Sequence, residues 1–275
     1  MVLNCNNNQV TDPERAIGVF DSGLGGLSVV RELLALGAGR HIHYLADQCH
    51  APYGVQSMET ILAWSKAISE WFIRGKIKVI VLACNSASAA ALYSLREQFP
   101  AVHFVGMEPA VKPAVAASKT GRVAVLATAA TLAGGPYKKV LRDHANGCQV
   151  IPRACPKWVD LVENPPESPE EVLTEVKSVV APLLADGVDQ LILGCTHFSF
   201  LKNVIQSVCQ GNATVIDPAV AVARQAERIA DTAGVHRGGR SDCRLFTTGD
   251  AARFEGHSQS LLGQSFPVKT ARWDG

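Results

Sequence analysis

The sequence has no run of about 18 uninterrupted apolar residues, so no helical membrane span is expected. It also lacks a surplus of either charge. Across 275 positions, 26 basic residues face 25 acidic ones, a net charge of +1. Such a balance advertises neither nucleic acid nor an anionic membrane as a partner. The short basic stretch at Arg237, Arg240 and Arg244 carries no interleaved aromatic residues and reads as solvated surface. The eight cysteines include no C-x-x-C pair, and no Cys/His spacing matches a zinc finger or ribbon, so no metal is expected. A disulfide framework is equally unexpected at this length. The opening "MVLNCNNNQVTDPER" has neither the basic nor the apolar segment of a signal peptide. Residues 1–15 are therefore expected to form a disordered tail. A cytoplasmic address and reduced thiols are expected with it.

What the sequence does contain is enough apolar material for a substantial core. Apolar residues make up 47% and charged residues 19%, which suits one large domain or two ordinary ones. Short apolar runs at 17–21, 43–46, 79–83, 102–106, 123–127, 149–152, 190–193, 213–216 and 244–247 read as strands. Segments of helical period at 27–36, 58–74, 87–98, 136–145, 169–186, 200–209 and 219–233 lie between them. This alternation predicts the α/β class, with mainly parallel sheets flanked by helices. In such sheets ligands sit at the carboxyl ends of the strands.

The pattern also repeats. "EPAVKPA" begins at Glu108 and "DPAVAVA" at Asp217, an offset of 109. Two strands end in Cys84 and Cys195, an offset of 111, and the turns after Phe20 and Leu126 are offset by 106. The two acidic-Pro-Ala steps are read as crossings between two pseudo-two-fold-related α/β domains. The first domain then spans 1–107 plus 219–275 and the second 108–218, with an active site in the cleft between them. Glu108 at the first crossing, and Thr128 and Thr131 at the second strand-to-helix turn, are further candidates for site or hinge residues.

A single cysteine at a strand end is most often a packed small apolar side chain. Two at repeat-related positions, each followed by small polar residues, point to chemistry. Asn85 and Ser86 follow the first thiol; Thr196 and His197 follow the second. Thiols facing each other across a cleft would offer a base to one face of a carbon and an acid to the other. Inversion of a stereocentre needs that arrangement. The helix N-termini after the two cysteines are expected to lower the thiol pKa and to serve carboxylate oxygens. His197 fits either as general-base partner of Cys195 or as a cation favouring its thiolate. Asp21 fits either as an aid to Cys84 or as a partner for a substrate ammonium.

Two loops remain. "DSGLGGLS" (21–28), with Asp47 downstream, is a poor dinucleotide fingerprint. Ser28 occupies the third glycine position, and Asp21 would set a negative charge beside a pyrophosphate. A nucleotide-binding module is the alternative that this loop keeps open. In "APYG" (51–54), Pro52 stiffens the turn, Gly54 permits close backbone approach and Tyr53 offers a hydroxyl.

These motifs, with "FDSGLGGLSV" (20–29), "ACNSAS" (83–88), "GMEPAVKPA" (106–114), "RACPKWVDLVE" (153–163), "LGCTH" (193–197) and "FTTGD" (246–250), resemble the glutamate racemases. Those belong to the cofactor-independent aspartate/glutamate racemase family. The resemblance runs over roughly 17–266 and implies two α/β domains with no pyridoxal phosphate, no other cofactor and no metal. It implies interconversion of L- and D-glutamate, supplying peptidoglycan synthesis, with aspartate as the alternative substrate on the same scaffold. Cys84 is implied as the base for D-glutamate and Cys195 as the base for L-glutamate, with Asp21 and His197 assisting. Asp21, Ser22, Pro52, Tyr53, Gly54, Asn85, Ser86, Thr196 and His197 are implied to bind substrate. A homodimer, and activation by a nucleotide precursor of peptidoglycan, are implied as well. The sequence departs from the family pattern in two places. Ser86 stands where threonine is usual, and Phe198-Ser199 where Tyr-Pro is usual, which alters the packing behind His197.

Overall fold

The computed structural model describes residues 2–4, 12–145 and 147–274. Its strands are β1 (Val2–Asn4), β2 (Ala16–Asp21), β3 (His41–Ala46), β4 (Val79–Leu82), β5 (His103–Gly106), β6 (Arg122–Ala127), β7 (Gln149–Ala154), β8 (Gln190–Gly194), β9 (Thr214–Ile216), β10 (Asp242–Thr247), β11 (Val268–Thr270) and β12 (Arg272–Asp274). One parallel sheet has six strands in the order β11-β10-β3-β2-β4-β5, and a second has four in the order β7-β6-β8-β9. Helices cover both faces of each sheet, so β2, β4 and β8 are buried along their whole length. Strands covered on both faces read as continuous apolar runs rather than alternating ones.

The faces are nevertheless distinct. In the larger sheet Ile17, Val19, Val79 and Val81 pack toward the helices Leu27–Leu36 and Ala219–Thr232. Phe20, Leu45, Ile80 and Leu82 pack toward Met58–Arg74 and Asn85–Gln98. In the smaller sheet Leu126, Leu191 and Leu193 share a core with the helices Pro169–Ala185 and Lys202–Cys209. Val123, Val125 and Ile192 face Val111–Ala117 and Gly135–His144. Each buried aliphatic side chain contributes about 1.5–3 kcal/mol, so these four clusters hold the sheets.

The internal repeat is visible in the topology. The order β3-β2-β4-β5 recurs as β7-β6-β8-β9. Phe20 pairs with Leu82 in the first sheet, and Leu126 with Leu193 in the second. Cys84 and Cys195 each lie two residues beyond those leucines. The two thiols therefore occupy equivalent places at the carboxyl ends of equivalent strands. The chain passes from the larger sheet to the smaller after β5 and returns after β9.

Some expectations change. The 1–15 tail is not uniformly without structure: β1 pairs antiparallel with β12, and Leu3 is fully buried. Residue 1 and residues 5–11, including Cys5, lie outside the described residues. The other seven cysteines are free thiols. Residues 200 and 201 belong to a 3-10 turn, Thr196–Leu201, that precedes the helix Lys202–Cys209. The helices Lys157–Glu163 and Ala251–Leu262 stand outside the expected elements, and only two side chains of each are buried. So do β11 and β12, which are three residues long and half-exposed.

Candidate active site

The carboxyl ends of β2, β4, β6 and β8 converge on one narrow cavity. The larger sheet contributes Ser22, Pro52, Tyr53, Gly54, Cys84, Asn85 and Ser86; the smaller contributes Thr128, Cys195, Thr196 and His197. Ser22, Pro52, Gly54, Thr128 and His197 also border a wider vestibule. Glu163, Asp250 and Arg253 stand on its wall.

Cys84 is the N-cap of the helix Asn85–Gln98, whose alanine-rich first turns favour helix from the outset. Its sulfur accepts from the Ala87 N–H at 3.4 Å. The expectation that this helix end lowers the thiol pKa is corrected. Burial pushes Cys84 up, the charge of Asp21 pushes further, and the N–H groups of Ala87 and Ser86 only partly offset them. At neutral pH Cys84 is a thiol, suited to giving a proton.

Cys195 sits differently. It precedes a 3-10 turn, and its sulfur lies 3.7 Å from His197 Nδ1. His197 Nε2 is 2.7 Å from Glu163 Oε1. Burial works against an imidazolium here, but the hydrogen bonds and charges of Cys195 and Glu163 outweigh it and hold His197 well above its ordinary value. Burial likewise favours a neutral Glu163, yet His197, the Leu24 N–H and Gln48 keep its carboxyl below the ordinary value. The three side chains form a line running sulfur, imidazole, carboxylate. The two equivalent thiols thus have unlike surroundings: Cys84 accepts from a helix N-terminal N–H beside Asp21, and Cys195 lies against the imidazole of His197.

The remaining candidates divide. Asp21 is fully buried beneath the glycine loop, where it accepts from the Gly23 N–H and the Thr196 hydroxyl, both at 2.9 Å. Burial raises its pKa and the nearby His197 cation opposes that rise. The Thr196 hydroxyl is thereby committed to the other sheet. The Tyr53 hydroxyl is not presented to the cavity as expected: it donates to Asp47 Oδ2 at 2.6 Å. The Ser86 hydroxyl pairs with Thr128, and Thr128 with Thr131. Thr131 and Glu108 line a separate small cavity that shares only Asn85 with the central one. Both amide atoms of the buried Asn85 lack a protein partner, so a donor and an acceptor are both free beside Cys84.

Glu163 is a site residue beyond the expected set, although the motif "RACPKWVDLVE" contains it. A glutamate at the end of a seven-residue helix, 34 positions before its histidine, carries no local signal of that pairing. The behaviour of Phe198-Ser199 also becomes clear. Phe198 is fully buried with its ring edge-on to Trp158 at 5.0 Å. A ring without a hydroxyl suits that apolar contact. Ser199 donates to Asp217 at the second crossing, at 2.9 Å.

The family model for Asp/Glu/hydantoin racemase matches residues 17–226. The chain is 42% identical over 250 residues to the glutamate racemase of Herpetosiphon aurantiacus, covering 90% of this chain and 98% of that one. The crystal structure of a glutamate racemase isoform from Bacillus anthracis superposes with a TM-score of 0.83 at 31% identity, over 94% of this chain and 97% of that one. Escherichia coli glutamate racemase, crystallised with L-glutamate and the activator UDP-MurNAc-Ala, superposes with a TM-score of 0.79 at 27% identity, over 94% and 99%.

Proposed function

The chain belongs to the Asp/Glu/hydantoin racemase family, and we propose that it is a glutamate racemase working by proton transfer between two cysteines without a cofactor. One observation carries the reading: thiols at register-equivalent strand ends line a single cavity between the two sheets.

In the L-to-D direction the Cys195 thiolate, paired with the His197 imidazolium, removes the Cα proton of L-glutamate. The electron pair left on Cα is delocalised into the substrate carboxylate. The Cys84 thiol then delivers its own proton to the other face. Cys195 ends as thiol and Cys84 as thiolate, and proton exchange with solvent resets them. The reverse direction uses Cys84 as base. A carbon acid beside a carboxylate is far weaker than a thiol, so the site must stabilise the carbanion and exclude water. The free amide of Asn85, the Ser22 and Ser86 hydroxyls and the backbone of 52–54 are assigned to the substrate's carboxylates. Thr196 holds Asp21 in place, and Asp21 is assigned to the ammonium group.

The same reading divides the chain into lobes of 1–107 plus 219–275 and 108–218, and makes the protein a cytoplasmic homodimer. D-glutamate would feed peptidoglycan synthesis. A nucleotide precursor of peptidoglycan, the class of activator bound to the E. coli relative, is the candidate regulator. Among the described residues no helix is long and apolar enough to cross a membrane.

The test is isotopic. L-glutamate incubated with the protein in D2O should lose optical rotation and gain deuterium at Cα, and D-glutamate should do the same. Aspartate, tried in parallel, should react more slowly, although one methylene is worth only about 1–3 kcal/mol. A protein that exchanges neither enantiomer of glutamate, from mildly acidic to basic pH, is not this enzyme.

A further inference from the structure

Asp47, Cys49 and His50 lie between β3 and the 51–54 loop, and none of them lines the cavity that holds the two thiols. Their donor atoms converge. Cys49 Sγ is 3.6 Å from Asp47 Oδ1 and 3.5 Å from His50 Nδ1, and that nitrogen is 2.9 Å from Asp47 Oδ2. The tetrahedron of a zinc ion has edges of known length. Bonds of about 2.3 Å to sulfur and about 2.0–2.1 Å to nitrogen or oxygen place sulfur about 3.5 Å from either, and nitrogen about 3.3 Å from oxygen. The sulfur–nitrogen spacing already matches, and one donor atom from each of the three residues lies within 4.8 Å of the other two. His50 Nδ1 is at hydrogen-bond distance from Asp47 Oδ2, and a metal bound there would replace that hydrogen bond.

We propose that Asp47, Cys49 and His50 form a binding site for a thiophilic divalent transition metal of the zinc class, with the fourth position left to water. Thiolate, imidazole and carboxylate together are a donor set that such ions favour. On binding, the Cys49 thiol proton leaves to solvent, and His50 presents a bare Nδ1 in its Nε2–H tautomer.

The surroundings are built for it. The Tyr53 hydroxyl, the Thr248 hydroxyl at 2.9 Å and Trp273 Nε1–H at 2.7 Å donate to the Asp47 carboxylate and fix its orientation. Metal-binding carboxylates are commonly held by such donors. The His50 ring is stacked on Trp64 at 4.1 Å and meets Trp273 edge-on at 5.0 Å. Asp47 is fully buried, and its one ion pair among the described residues is with His50. A buried carboxylate held mainly by neutral donors attracts a cation. Cys49 is exposed, which supplies the entry path. Tyr53 and His50 share one carboxylate oxygen, so the metal would sit at the root of the loop that walls the racemase cavity.

The experiment titrates chelator-treated protein with Zn2+ by calorimetry and with Co2+ as a spectroscopic probe. Wild type, Cys49→Ser, His50→Gln and Cys195→Ser are compared. Wild type and Cys195→Ser should both show a thiolate-to-cobalt charge-transfer absorption, which Cys49→Ser lacks. Zn2+ affinity at this site should fall at least about tenfold in Cys49→Ser and in His50→Gln. Cys49→Ser should keep its metal-free turnover, which shows that it is folded. A cobalt absorption that survives in Cys49→Ser, that disappears only with Cys195→Ser, or that never forms in wild type overturns the proposal.

Discussion

At the scale of single residues, the proposed chemistry is carried by two unlike thiols. Cys84 is capped by backbone N–H and pushed up by burial, whereas Cys195 shares a proton network with His197 and Glu163. Each direction of racemisation needs one group as acid and the other as base. Cys84→Ser and Cys195→Ser should therefore each lower kcat roughly 10²–10⁴-fold in both directions, measured by circular dichroism with either enantiomer. Full activity in either variant would refute the two-base scheme. The Glu163–His197 pair has a second signature. Glu163 is held below its ordinary 4.5 and His197 well above its ordinary 6.5. The Glu163 contribution to stability is complete above the unfolded-state value and lost as pH falls through the folded one. The His197 contribution is complete below the unfolded-state value and lost as pH rises through the folded one. The Tm difference between the protein and Glu163→Gln should then be widest between about pH 4.5 and 6.5 and narrow on either side. A difference independent of pH would show that the pair is not ionised.

At the scale of elements, the 21–28 loop acquires a physical reason for its glycines. A Cβ on Gly25 would collide with His197 Nδ1 and Thr196 Oγ1, and one on Gly23 with the Glu163 carboxylate. The glycines let the second sheet's turn approach the first sheet's loop, a need that requires no nucleotide. Gly25→Ala should lower activity by displacing His197, while overpacking destabilises the fold by about 1–3 kcal/mol. Denaturant midpoints together with kcat would check both. The C-terminal strand matters for a related reason. β12 brings Trp273 Nε1–H onto Asp47, which also receives the Tyr53 hydroxyl. Trp273→Phe removes a hydrogen bond to a charged group and should destabilise by about 1.5–3 kcal/mol. Because Tyr53 walls the cavity, KM should rise with it. An unchanged KM and Tm would mean that Asp47 is held without β12.

At the scale of the molecule, two sheets of repeated topology present equivalent strand ends to one cavity, and the chain crosses between them twice. Contacts between the sheets are concentrated near that cavity: Asp21 with Thr196, Leu24 with Glu163, Ser86 with Thr128. The crossings around Pro109 and Pro218 are the proposed hinge, so that the lobes close over substrate and expel water. Small-angle scattering should show a smaller radius of gyration with saturating glutamate. No compaction would remove the hinge from the account.

The order of strands and helices was legible in the chain because burial on both faces writes a strand as an unbroken apolar run, as at 79–82 and 190–194. The equivalence of Cys84 and Cys195 was legible too, through offsets that the strand register now explains. Short elements that bury few side chains, such as the helix Lys157–Glu163 with two and β12 with none, left too little periodicity to read. Sequence alone determined which residue types would stand at the strand ends. Only the tertiary structure decided their partners: Glu163 on His197, the Tyr53 hydroxyl turned to Asp47, and Trp273 bonded 226 positions back along the chain. Local periodicity records whether a side chain is buried, but hydrogen-bond partners depend on how separate layers are stacked, and that is set by the packing of the whole chain.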